Sequence, residues 1–181
     1  MAVTVTPATF TLVYFDAAAI AAVAAGVAER LGVTADLVIE VDEASPLPRV
    51  WTTPGDPIAI RVESGAFEDT RRPRHQSDEA VARSVGRALL RLLDRFTGFA
   101  AAPDDADLTL AQAAAWDTYV IGRLHRRGWP QHEQRWRYNF RNRHGFTDAA
   151  DAAFDRLWAA DDLTWDQLVT ISDQALAARA A

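Results

Sequence analysis

Residues 77–96, SDEAVARSVGRALLRLLDRF, set Val81, Val85, Leu89, Leu92 and Phe96 at intervals of three and four, the spacing that lines apolar side chains along one face of an α-helix. Ser77 is placed to cap that helix, Asp78 and Glu79 oppose the positive end of its dipole, and Gly98 closes it. Arg83, Arg87, Arg91 and Arg95 form a second row along it, read as a solvated face or a docking surface. The chain changes character across this helix. Before it, apolar residues alternate as in a small sheet; after it, they recur with helical spacing.

The preceding stretch starts with a Thr-rich segment broken by Pro7, expected to be loose, and a short strand is expected over 10–15. Asp16 then caps a helix carrying Ile20, Val23, Val27 and Leu31, which Gly32 stops. Leu37, Ile39 and Val41 alternate with Val38, Glu40 and Asp42, and Ile58, Ile60 and Val62 alternate with Ala59, Arg61 and Glu63, two strands with one buried face each. A short extended piece over 50–53 lies between them. The charged run FEDTRRPRHQ over 67–76 contains Pro73 and is expected to be irregular. Downstream, 99–107 is an Ala-Pro-Asp linker, and Thr109 with Gln112 and Thr164 with Gln167 mark two capping boxes. Four short helices follow the linker, over about 109–127, 131–144, 148–159 and 164 onward. The expected fold is α+β: a domain over 1–98 with a small, short-stranded sheet and helices, a linker over 99–107, and a helical bundle over 108–181.

With 181 residues the chain is long enough to bury roughly 70% of its unfolded surface without disulfides or a structural metal. It has no cysteine, which removes thiol catalysis and thiolate zinc sites, and all 19 of its basic residues are arginine, which removes Schiff-base and P-loop lysines. The run AAAIAAVAAGVA over 17–28 follows Asp16 and has no positive charge ahead of it, so it reads as a buried helix of a cytoplasmic protein with no membrane partner. The net charge is -6, and it is segregated. Residues 1–70 hold 3 Arg against 10 acids, 71–144 hold 14 against 8, and 145–181 hold 2 against 7.

The order helix, strand, strand, long helix over 10–98, with a charged segment leading into the long helix, resembles the minimal zincin-like metallopeptidases of bacteria. In that family the long helix presents His-Glu-x-x-His, two imidazoles one turn apart for zinc and a glutamate to activate water. Laid after the acidic start and the apolar run 80–85, the first histidine falls on Gly86, the glutamate on Arg87 and the second histidine on Leu90. The resemblance therefore implies the family's layout without its metal site or peptidase activity, and no metal or cofactor is expected. His132-Glu133 begins a similar motif, but Trp136 stands where the second ligand is needed. The serines lack a nucleophile-elbow setting, and the acidic pairs Asp104-Asp105 and Asp161-Asp162 sit beside expected helix starts, where a capping or dipole role is the simpler account.

RLHRRGWPQHEQRWRYNFRNRH over 123–144 remains, with seven arginines and three histidines against one acid, interleaved with aromatics. Arginine with aromatics suits both a protein interface and phosphate contact with base stacking. Arg126, Arg127, Trp129, Trp136, Arg137, Tyr138, Arg141, Arg143 and His144 are the candidate binding residues. Alternatively, the aromatics belong to the bundle core and the arginines pair with Asp148, Asp151, Asp155, Asp161, Asp162 and Asp166. The expected function is a non-enzymatic interaction or accessory protein whose partner is another protein. Nucleic-acid binding through 123–144 is the alternative, followed by a hydrolase with a non-obvious site based on His75, His125 or His144.

Overall fold

The computed structural model describes residues 1–179 and shows an α+β protein dividing into two compact units, Met1–Leu92 and Leu93–Ala181. In the first, strands β1 (Val3–Thr6), β2 (Leu37–Asp42), β3 (Val50–Thr53) and β4 (Ile58–Glu63) form one sheet in the order β1-β2-β4-β3. β1, β2 and β4 run parallel, and β3 is antiparallel to β4 at the edge. The alternation read in 37–42 and 58–63 is the observed burial: Leu37, Ile39 and Val41 of β2 and Ile58, Ile60 and Val62 of β4 are interior. Helix α1 (Ala17–Arg30) packs on β1, with Ile20, Ala24, Val27 and Ala28 fully buried. Asp16 caps it, its Oδ1 accepting the N–H of Ala18 at 2.8 Å and of Ala19 at 3.2 Å. Gly32 takes a left-handed φ of 71° at its end.

Three segments differ from the expectation. The N-terminus is not loose: Val3–Thr6 pairs in parallel with Leu37–Glu40 and buries Val5. No short-range pattern announces that pairing, because its partner lies more than thirty residues downstream. Nor is 67–76 irregular. It folds into a two-stranded ribbon, β5 (Glu68–Asp69) with β6 (Arg72–Gln76). Pro73 lies within β6 but outside the paired positions, where its missing N–H costs nothing. The expected strand over 10–15 reduces to a single bridge between Tyr14 and His75.

Between β4 and β5 the chain makes a single 3-10 turn at Ser64–Ala66. A Cβ at Gly65 would stand 2.1 Å from the Pro46 carbonyl oxygen, so this backbone approach requires glycine. Helix α2 (Asp78–Arg95) follows, with the Ala80 N–H bonded to Ser77 Oγ at 3.3 Å and Ser84 Oγ bonded to the Ala66 carbonyl at 2.8 Å. Val81, Val85, Leu89 and Leu92 are buried as the spacing predicts, but Phe96 is 69% exposed, one residue beyond the helix. The arginine row is not a solvated face either: Arg91 is buried, and Arg83, Arg87 and Arg95 are half-buried.

The second unit is a bundle of α3 (Leu110–Arg126), α4 (Glu133–His144), α5 (Asp148–Ala159) and α6 (Trp165–Arg179), with α3 touching the other three. Both capping boxes form: Thr109 and Gln112 exchange bonds of 3.0 and 3.2 Å, and Thr164 and Gln167 bonds of 2.9 and 3.3 Å. Residues 99–107 are turn and coil tied to this unit. Phe99 is 1% exposed and stacks on Tyr119 at 5.6 Å beside Trp116 and Trp165. Arg95 donates to the carbonyls of Ala102 and Pro103 and pairs with Asp105 at 2.7 Å.

Candidate interaction surface

The arginine and aromatic residues of 123–144 separate into an inward row and an outward row. Arg123 belongs to the interior. Its Nη2 donates to Asp94 Oδ2 at 2.6 Å, the same oxygen accepts Trp116 Nε1 at 2.8 Å, and the guanidinium lies 3.9 Å from the Tyr119 ring centre. Arg126 donates to the Trp158 and Ala160 carbonyls and to Asp161 at 2.9 Å, while Arg127 approaches Asp161 only to 4.0 Å. The hydrogen bond from Arg126 holds the Asp161 carboxyl below the usual range.

Along α4, Arg137 and Arg141 turn toward α5. Arg137 bonds to Glu133 at 2.8 Å and to Asp155, with its guanidinium over the Phe154 ring at 4.3 Å. Burial draws its pKa down, but the bonds to Asp155 and Glu133 prevail and raise it. Arg141 grips Asp151 with two parallel bonds of 2.7 and 2.5 Å, which raises the arginine and lowers the carboxylate. The acidic segment next door thus supplies the counter-charges for Arg126, Arg137 and Arg141.

His144 is removed from the candidate surface, because it is 0% exposed. Its Nδ1 lies 3.1 Å from the Phe140 carbonyl, so Nδ1 carries the proton, and Nε2 accepts from Ser172 Oγ at 2.8 Å. Burial pushes its pKa down. Trp129 and Trp136 are half-buried.

Tyr138 and Arg143 stay outside. Tyr138 is 59% exposed and meets Phe146, 62% exposed, edge to face at 5.7 Å. Arg135 and Arg143 of the same helix are also exposed and, among the described residues, neither has a carboxylate within 4.0 Å. Arg135, Tyr138, Asn139 and Asn142 are spaced to share one helical face, and all four are exposed. Phe146 and Arg135 are the members that reading the sequence missed. Phe146 lies past the stop at Gly145, whose φ of 104° turns the chain so that Phe146 reaches Tyr138.

Of the other histidines, His125 accepts the Gln131 N–H on Nδ1 at 3.1 Å and His75 stacks on Tyr14 at 4.7 Å. Among the described residues no group of three or more His, Cys, Asp or Glu is placed to hold a metal ion, and no helix is long and apolar enough to cross a membrane. Comparison with protein-family models, with curated proteins and with solved structures found no match.

Proposed function

We propose that this chain is a non-enzymatic interaction or accessory protein that binds another protein through the outward face of α4, with a zincin-like layout in its first unit that lacks the metal site. The observation behind this reading is the contact between Tyr138 and Phe146, both more than half exposed, on a helix that also exposes Arg135 and Arg143, neither paired with a carboxylate among the described residues. Interface energy concentrates in such aromatic and arginine anchors. The zincin-like layout draws support from α2 following the sheet and the charged ribbon, with Gly86, Arg87 and Leu90 in its middle turns where the family keeps its zinc motif. None of these three side chains can ligate zinc as an imidazole does. We place the protein in the cytoplasm, since the alanine-rich run over 17–28 serves as core helix α1.

Tyr138→Ala combined with Phe146→Ala tests the proposal in a pull-down with the full chain and parallel metal analysis. Both side chains are exposed, so the melting temperature is expected to hold while a captured partner is lost. A partner retained equally by the double variant removes this surface from consideration. Nucleic-acid binding through 123–144 is the weaker reading for that stretch, because Arg123, Arg126, Arg137 and Arg141 already face carboxylates.

A further inference from the structure

A second set of exposed cationic and aromatic residues lies in the first unit, on the β5–β6 ribbon and the segment that pairs with it at Tyr14. Arg71, Arg72 and Arg74 are exposed, and among the described residues no carboxylate pairs with their guanidinium groups. Asp69 Oδ1 is engaged instead by the Arg71 N–H at 2.8 Å, and Asp78 Oδ1 by Gln76 Nε2 at 3.0 Å. Arg74 holds a left-handed φ of 64°, a conformation that costs a residue with a side chain, and its carbonyl accepts the Tyr14 N–H at 2.8 Å.

Tyr14 is therefore a fixed platform. The chain before it is held by Glu43, whose carboxylate accepts the N–H groups of Thr11 at 2.7 Å and Leu12 at 2.6 Å, and the chain after it by Asp16 N–H on Gln76 Oε1 at 3.0 Å. The Tyr14 ring stacks on His75 at 4.7 Å and 22°, yet Tyr14 is 72% exposed. One ring face is supported and the other is open.

The backbone restricts what can dock there. Pro73 has no N–H to offer, and Tyr14 already takes the Arg74 carbonyl, so an extended peptide added along β6 loses its ladder bonds at those two positions. The residues are spread over an open ribbon, whereas small ligands need enclosure. Guanidinium groups for phosphates and an open ring for a base match a single strand of nucleic acid. We infer that the Arg71, Arg72 and Arg74 ribbon and the Tyr14–His75 stack form a binding site for single-stranded nucleic acid, independent of the α4 surface. The chain's net charge of -6 opposes long-range attraction, so the binding is short-range and salt-sensitive.

The probe is a fluorescently labelled oligothymidine titrated with the full chain, read by anisotropy. Three phosphate contacts predict an affinity that falls about 20-fold between about 50 and 200 mM salt. Tyr14→Ala, at an exposed position, is expected to weaken binding at least about fivefold. Arg71→Gln/Arg72→Gln/Arg74→Gln is expected to abolish it, and Arg72→Gln alone to flatten the salt dependence. Arg135→Gln/Arg143→Gln is expected to leave it unchanged. Absence of binding at about 100 μM protein and about 50 mM salt overturns the inference. Equal competition by polyglutamate or by free thymidine monophosphate overturns it too, as does loss of binding in the α4 variant but not in Tyr14→Ala.

Discussion

Asp94 is the residue on which the second unit's polar interior depends. Its Oδ2 receives both Arg123 and Trp116, and the Arg123 and Asp94 side chains are 8% and 5% exposed. Asp94→Ala leaves a buried guanidinium without its counter-ion and is expected to cost about 3–5 kcal/mol in urea unfolding followed by tryptophan fluorescence. Asp94→Leu/Arg123→Met removes both charges and is expected to recover most of that loss. A double variant as unstable as the single one would show that the hydrogen bonds, not the stranded charge, matter most. In the sequence Asp94 is one member of an amphipathic helix and Arg123 one member of a basic stretch. Their pairing across 29 residues is a tertiary fact.

At the scale of elements, local signals were the most legible. Asp16, Ser77, Thr109 and Thr164, the caps expected from the sequence, all make side-chain bonds at their helix starts, because capping needs only residues two or three apart, and the structure adds Thr147 at the start of α5. Thr109→Ala is expected to cost about 1 kcal/mol and to raise amide exchange in the first turn of α3. Gly122 shows the opposite case. Mid-helix glycine is unfavourable by about 1 kcal/mol against alanine, so sequence alone recommends Gly122→Ala. A Cβ there would stand 2.2 Å from the Trp158 carbonyl oxygen, a backbone atom that cannot yield without moving α5 against α3. Gly122→Ala is therefore expected to destabilise by about 1–3 kcal/mol, and a gain in melting temperature would refute the close approach.

For the whole molecule, the pH dependence of stability joins these parts. His144 has its pKa lowered in the fold, so below its ordinary value of 6.5 the unfolded chain binds the proton more readily and stability falls as pH falls. His144→Leu is expected to flatten the stability profile just below that value. Asp151 and Asp161 are lowered as well, by Arg141 and Arg126, so their contribution is present above the usual carboxylate value of 3.8 and is lost as pH falls through their folded values. Acid unfolding monitored by circular dichroism is expected to show both phases, and an unchanged profile in His144→Leu would contradict the first.

By itself the sequence determined the helices and the two alternating strands, because capping, stop signals and apolar periodicity act within a few residues of chain. It also showed that acids stand close enough in the chain to neutralise the arginines of 123–144. Only the tertiary structure decided which ones do so: Arg137 and Arg141 face α5, whereas Arg135 and Arg143 face outward. It also decided that Val3–Thr6 is a strand, that a ribbon accommodates Pro73, and that Phe146 meets Tyr138. Each of these depends on a partner brought from elsewhere in the chain or on a backbone turn, and periodicity along a single segment carries no information about either.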